Sequence, residues 1–157
     1  MEVTVVGKGL FDAAMKHHGI TNENVESFNK FMFISVTDTL GFAEDPYFKE
    51  NKSNVLNLFF DDVEDDDGDW EGMNIAGQTK SFTEEQATQI FDFIEKNKDK
   101  EFCIIHCYAG ISRSGAVGAF VNDYFGGHYM DFIKANPQVQ PNPKVTRLLN
   151  REWRKRQ

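Results

Sequence analysis

Two residues in the stretch EFCIIHCYAGISRSGAVG, residues 101–118, have the types and spacing to do covalent chemistry. Cys107 follows an apolar run, Phe102 to Ile105, and His106. Arg113 comes after five intervening residues and is followed by Ser114, Gly115 and small or apolar residues. The pattern reads as strand, tight loop, helix. A loop of that kind turns its backbone N–H groups towards an anion, and the helix N-terminus adds a favourable dipole. Arg113 can grip two oxygens of a phosphate with its planar fork. The same positive field favours the thiolate of Cys107, exposed and open to oxidation, and a thiolate beside a bound phosphate is a nucleophile aimed at phosphorus.

The spacing alone is weak, because two cysteines and five arginines in 157 residues produce it by chance about 6% of the time. The details strengthen it. Gly110 permits the positive φ and close backbone approach that a phosphate loop needs. Ser114 places a hydroxyl where it could hydrogen-bond the sulfur. The plainer alternative is a buried structural cysteine with an unrelated surface arginine.

HCYAGISRSG resembles the H-C-x-x-G-x-x-R-S/T signature of the cysteine-based protein tyrosine phosphatases. The chain's compact size and the motif's late position resemble the dual-specificity branch. The resemblance covers roughly residues 30–150. It implies a phosphocysteine mechanism on Cys107. It also implies phosphate binding by Tyr108, Ala109, Gly110, Ile111, Ser112 and Arg113, and a role for Ser114 in helping the thiolate leave. No metal or cofactor is needed, because Arg113 and the loop amides hold the charge.

The family places its general acid at the end of the preceding strand, and VLNLFFDD puts Asp62 at the matching position. The gap from Asp62 to Cys107 is longer than usual for this branch, and the acidic insert, residues 63–80, accounts for it. Asp61, Asp65, Asp66, Asp67 and Asp69 compete for the role. The segment QPNP resembles a proline-asparagine turn of the family, which makes Asn142 a possible support residue. Two other readings stand beside this one: a rhodanese-like thiol-transfer domain, and a catalytically dead module that binds phosphate.

These residues need a scaffold. Residues 2–6 read as a short strand broken by Gly7 and Gly9, and residues 10–18 as a helix stopped by Gly19. His17 and His18 are adjacent on it, so they read as solvated rather than as a metal pair. Residues 31–36 and 54–60 are apolar runs with the character of buried parallel strands. Thr37, Asp38 and Thr39 follow the first; they could line the site or simply make a turn. The stretch of residues 61–71 carries eight acidic side chains and fits no calcium loop. It reads as a solvated, self-repelling loop that could also act as a lid carrying the acid. Residues 83–97 are the clearest helix, with Thr83 and Gln86 as a capping box and Ala87, Ile90, Phe91 and Ile94 as its apolar stripe. Helices are expected to about Tyr124, over residues 128–135, and from the Pro143 region onwards. Strands alternating with helices predict an α/β fold: a mostly parallel sheet, the signature strand at its centre, and helices on both faces.

Bulk properties narrow the setting. A chain of 157 residues suits one domain, residues 1–157, and fifteen phenylalanines supply much of its core. No apolar run reaches membrane length and the N-terminus lacks a leader pattern, so a cytoplasmic protein is expected. Cys103 and Cys107, about 13 Å apart along one strand, are too distant for a disulfide. A net charge of −8 argues against nucleic acid and anionic membranes as partners. The basic C-terminus RLLNREWRKRQ reads as a solvated last helix. With no lysine or histidine among Tyr108, Ala109, Ile111 and Ser112, the favoured substrates are phosphoproteins, phosphorylated on tyrosine or on serine and threonine, and the protein is expected to be a monomer.

Overall fold

The computed structural model describes residues 1–39, 45–64 and 79–157. Four strands form one parallel sheet: β1 (Glu2–Gly7), β2 (Phe31–Thr37), β3 (Val55–Phe59) and β4 (Phe102–Cys107), in the order β1-β4-β2-β3. Among the described residues five α-helices accompany them: α1 (Lys8–His17), α2 (Glu84–Lys96), α3 (Arg113–Tyr124), α4 (Tyr129–Ala135) and α5 (Pro143–Lys155). This is the expected α/β class. The signature strand β4 is central, paired on one side with β1 (Gly7 opposite Cys107) and on the other with β2 (Ser35 opposite His106).

Alternation along the strands divides the core in two. On β2, Met32, Ile34 and Val36 join α2, α3 and α5 through Ile90, Ile94, Val117, Val121 and Leu149. Phe33 faces the other side and meets Phe11 and Met15 of α1, with Phe48 and Val55. Both faces of the sheet are therefore covered, so β2 and β4 read as near-continuous apolar runs.

The capping box predicted for α2 is present, with Thr83 and Gln86 each satisfying the other's backbone N–H. Replacing such a cap by alanine costs about 1 kcal/mol. At the far end, Arg156 joins α5 to α2 by reaching Glu152, Asp92 and Glu95 and lying 4.3 Å from the centre of the Phe91 ring. Half-exposed ion pairs contribute little, so the ring contact and the stem's packing matter most here.

One boundary differs from the sequence reading. Gly7 and Gly9 do not break the chain into strand and loop. β1 runs into Gly7, α1 starts directly at Lys8, and Gly9 lies inside the helix. Gly7 lies in close contact with the loop: a Cβ would sit 3.0 Å from Tyr108 O, so the loop would have to give way. Glycine marks close approach here, not termination.

Candidate active site

The carboxyl ends of all four strands converge at one edge of the sheet, where open α/β folds bind ligands. β4 delivers Cys107, β1 delivers Gly7 and Lys8, β2 leads into Asp38 and Thr39, and β3 leads through Phe60 into Asp61 and Asp62. Residues 108–112 then turn into α3, which opens with Arg113 and Ser114.

The loop's carbonyls face outwards. Tyr108 O accepts Lys8 N at 3.0 Å, Ile111 O accepts Gln140 N at 2.9 Å and Ser112 O accepts Asn142 N at 3.0 Å. Gly110 O accepts Gln138 Nε2 at 3.1 Å, and Ala109 O lies against Gly7. No peptide here is cis, and in a planar trans peptide the N–H points opposite to the C=O. The amides of Ala109, Gly110, Ile111, Ser112 and Arg113 are therefore turned towards the loop's interior. Gly110 N shows this directly, donating to Cys107 Sγ at 3.3 Å. An inward ring of N–H groups with the sulfur at its base is an anion cradle.

Gly110 carries the tightest constraint. Its φ is +73°, and a Cβ there would sit 2.7 Å from Val6 O and closer still to the Val6 carbonyl carbon. Gly110→Ala adds a left-handed penalty to a clash with backbone that cannot swing away. We expect it to lower kcat/KM for p-nitrophenyl phosphate by about 10²-fold or more, since small misplacements of reacting groups cost that much. Steady-state kinetics on the folded variant check this.

Ser114 lies where the sequence suggested, its Oγ 3.0 Å from Cys107 Sγ. The expectation of an exposed cysteine is corrected: Cys107 is only 2% exposed, because the loop and α3 close around the sulfur. Cys103, on the same strand, is fully buried, and burial pushes its thiol up. His106 is also buried, with Phe11 4.2 Å away ring to ring. Burial lowers its pKa to about 4, against a weak contact to Cys107 O and the charge of Asp12, so the imidazole is neutral at pH 7.

Arg113 is 5% exposed and already oriented. Its Nη1 pairs with Asp38 Oδ1 and donates to Phe60 O at 2.9 Å. Its Nε is buried with no partner among the described residues. Such a donor costs about 1–3 kcal/mol unless satisfied, which an anion's oxygen would do. Asp38 is thus a site residue that the sequence left undecided; its one signal was its place just beyond the carboxyl end of an apolar strand.

The two adjacent aspartates separate cleanly. Asp61 is 7% exposed and accepts from the Thr39 hydroxyl, from Thr39 N at 2.9 Å and from Lys80 N at 2.8 Å. Burial pushes its carboxyl up, but the Thr39 hydroxyl, the two amides and the charge of Arg113 outweigh that and hold it below the usual value. A carboxylate held ionised is a poor proton donor. Asp62 is exposed and rests on the loop: its Oδ1 accepts from Ser112 Oγ at 2.9 Å and from Asn142 Nδ2 at 2.8 Å. Asn142 also caps α5, its Oδ1 accepting from Lys144 N and Val145 N. The competing residues Asp65, Asp66, Asp67 and Asp69 lie outside the described residues. Tyr108 and Ile111 place their side chains at the surface, 68% and 37% exposed, so their contribution to the cradle is backbone.

Among the described residues no cluster of histidine, cysteine or carboxylate side chains could hold a metal. None of their helices is long and apolar enough to cross a membrane.

No protein-family model matches the chain, and no curated protein sequence matches it. Solved structures do resemble it. The crystal structure of Tk-PTP in its active form shares 18% identity over 87% of this chain and 88% of that one, with a TM-score of 0.47. Human DUSP28 shares 12% over 99% and 95%, with a TM-score of 0.46. PTPMT1 in complex with PI(5)P shares 15% over 98% and 91%, with a TM-score of 0.47.

Proposed function

We propose that this chain is a metal-independent, cysteine-dependent phosphatase of the dual-specificity type that hydrolyses phosphate monoesters on phosphoproteins. The observation that carries the reading is the juxtaposition of Cys107 Sγ, at the base of an inward ring of amides, with Asp62 held at the rim of the same loop. The ring and the Nε side of Arg113 take the phosphate oxygens. Cys107 attacks phosphorus as the S–P bond forms and the ester P–O bond breaks, and Asp62 protonates the departing oxygen. Among the described residues both donors to Asp62 take Oδ1, and Oδ2 is the oxygen to carry that proton. The resulting carboxylate then takes a proton from water, whose oxygen attacks phosphorus and releases the thiolate. Ser114 Oγ is placed to hydrogen-bond the leaving sulfur.

The acid at the rim favours turnover over mere phosphate binding, and a sulfur-transfer domain would have no use for it. The phosphoprotein assignment rests on the lack of lysine and histidine in residues 108–112 and on the net charge of −8. Lys8, whose amide holds the loop, pairs its ammonium with Asp12 at 2.6 Å. Purified protein in EDTA is expected to release phosphate from p-nitrophenyl phosphate and from phosphotyrosyl peptides, with kcat/KM for the peptides well above that for a phosphoinositide. No release from any ester would refute the phosphatase reading; preference for the lipid would refute the substrate class.

A further inference from the structure

The loop is shaped from outside by a segment far away in the chain. In residues 136–142, NPQVQPN, every second residue from Gln138 onwards donates to the next loop carbonyl: Gln138 to Gly110, Gln140 to Ile111, Asn142 to Ser112. The first of these donors is a side chain; the other two are backbone amides. Pro137 and Pro141 have no N–H, so the segment cannot join the sheet as a regular fifth strand. It is fastened to the open edge of β1 by side-chain amides instead. Asn136 Oδ1 accepts Val5 N at 2.8 Å and its Nδ2 donates to Val3 O at 3.1 Å. Gln138 Nε2 donates to Val5 O at 2.9 Å as well as to Gly110 O.

Turning over the peptide that joins Gly110 to Ile111 changes the ψ of Gly110, whose φ of +73° and missing Cβ leave both values of ψ open. If that peptide flips, an inward N–H is replaced by an inward C=O, which repels an anion. Gln138 holds that carbonyl outwards. We propose that residues 136–142 act as a template for the phosphate loop, with Gln138 the positioning residue that keeps the Ile111 amide facing the bound phosphate. This rests on the phosphatase reading above.

Gln138 is exposed, so its replacement should spare the core. Gln138→Met keeps the length and deletes the donor; Gln138→Glu keeps the shape and offers only acceptors to the two carbonyls. The exposed Lys134, on α4 ahead of the segment, has no part in holding the loop, so Lys134→Ala is the control. The measurements are calorimetric affinity for orthovanadate and inorganic phosphate, kcat and KM for p-nitrophenyl phosphate, and Tm. Both Gln138 variants are expected to bind the two anions about tenfold more weakly and to show a similarly raised KM, with kcat changed less and Tm nearly unchanged. Lys134→Ala should match the wild type. Anion affinity within twofold of wild type in both Gln138 variants, or no anion binding by the wild type, would overturn the proposal. Wild-type protein that binds the anions but releases no phosphate would refute the phosphatase reading alone; the Gln138 variants would then still decide the template by affinity.

Discussion

Replacing Cys107 by serine is expected to abolish phosphate release while leaving the anion cradle intact. The cradle is built from backbone amides whose carbonyls are held by Lys8, Gln138, Gln140 and Asn142, and none of those bonds involves the sulfur. Serine is nearly isosteric, but its hydroxyl is not ionised at neutral pH and has no adjacent base: burial lowers His106 to about 4, which makes it a weak base, its Nδ1 lies at Cys107 O rather than at the side chain, and Ser114 is itself a hydroxyl. Turnover should fall to background, and affinity for a phosphate ester should stay within a few-fold of wild type. Single-turnover assays and calorimetry on the same preparation check both. Substantial turnover by an uncontaminated mutant would sink the assignment of the nucleophile. Arg113→Lys should cost about 10²–10³-fold in kcat, the scale of a lost donor at developing charge, because one ammonium cannot hold Asp38, Phe60 O and a phosphate together.

The second large effect concerns the general acid. Asp62→Asn is expected to slow phenyl phosphate by about 10²–10⁴-fold, the usual worth of a positioned acid. The nitrophenyl ester should suffer much less, since its leaving group departs as an anion without help. When the first chemical step limits the rate, the same variant should lose the basic limb of the pH–rate profile. Asp61→Asn should show neither signature. Asp61 instead ties Thr39 to Lys80, and its loss should appear as a lower Tm, because an amide cannot accept all the hydrogen bonds a carboxylate does. If Asp61→Asn shows the leaving-group effect and Asp62→Asn does not, the two roles are exchanged. If neither does, the proton comes from the acidic residues 65–69.

The arrangement of the candidate site was legible in the sequence where neighbours along the chain make it. Cys107, Gly110, Arg113 and Ser114 lie within eight residues, and a strand feeding a tight loop and a helix leaves little freedom in how they meet. The sheet was legible too, because β2 and β4 are buried on both faces and so appear as unbroken apolar runs. Side-chain alternation beyond β3 explains why only one of Asp61 and Asp62 could face the loop, as the structure shows.

Other features depend on residues brought together from far apart, and local pattern carries no signal for those. Asp38 meets Arg113 across 75 positions, a pairing that exists only because β2 and β4 are neighbours and end together. Gly7 looked like a breaker because glycine's usual role is conformational, whereas here its missing Cβ makes room for the loop. The burial of Cys107 follows from α3 and the loop folding over the strand end, which spacing does not report. In NPQVQPN two prolines suggest irregular backbone. That its amide groups fall in step with the carbonyls of residues 110–112 is decided by the path of the chain from α4 to α5 along the edge of β1, a tertiary fact with no local cause.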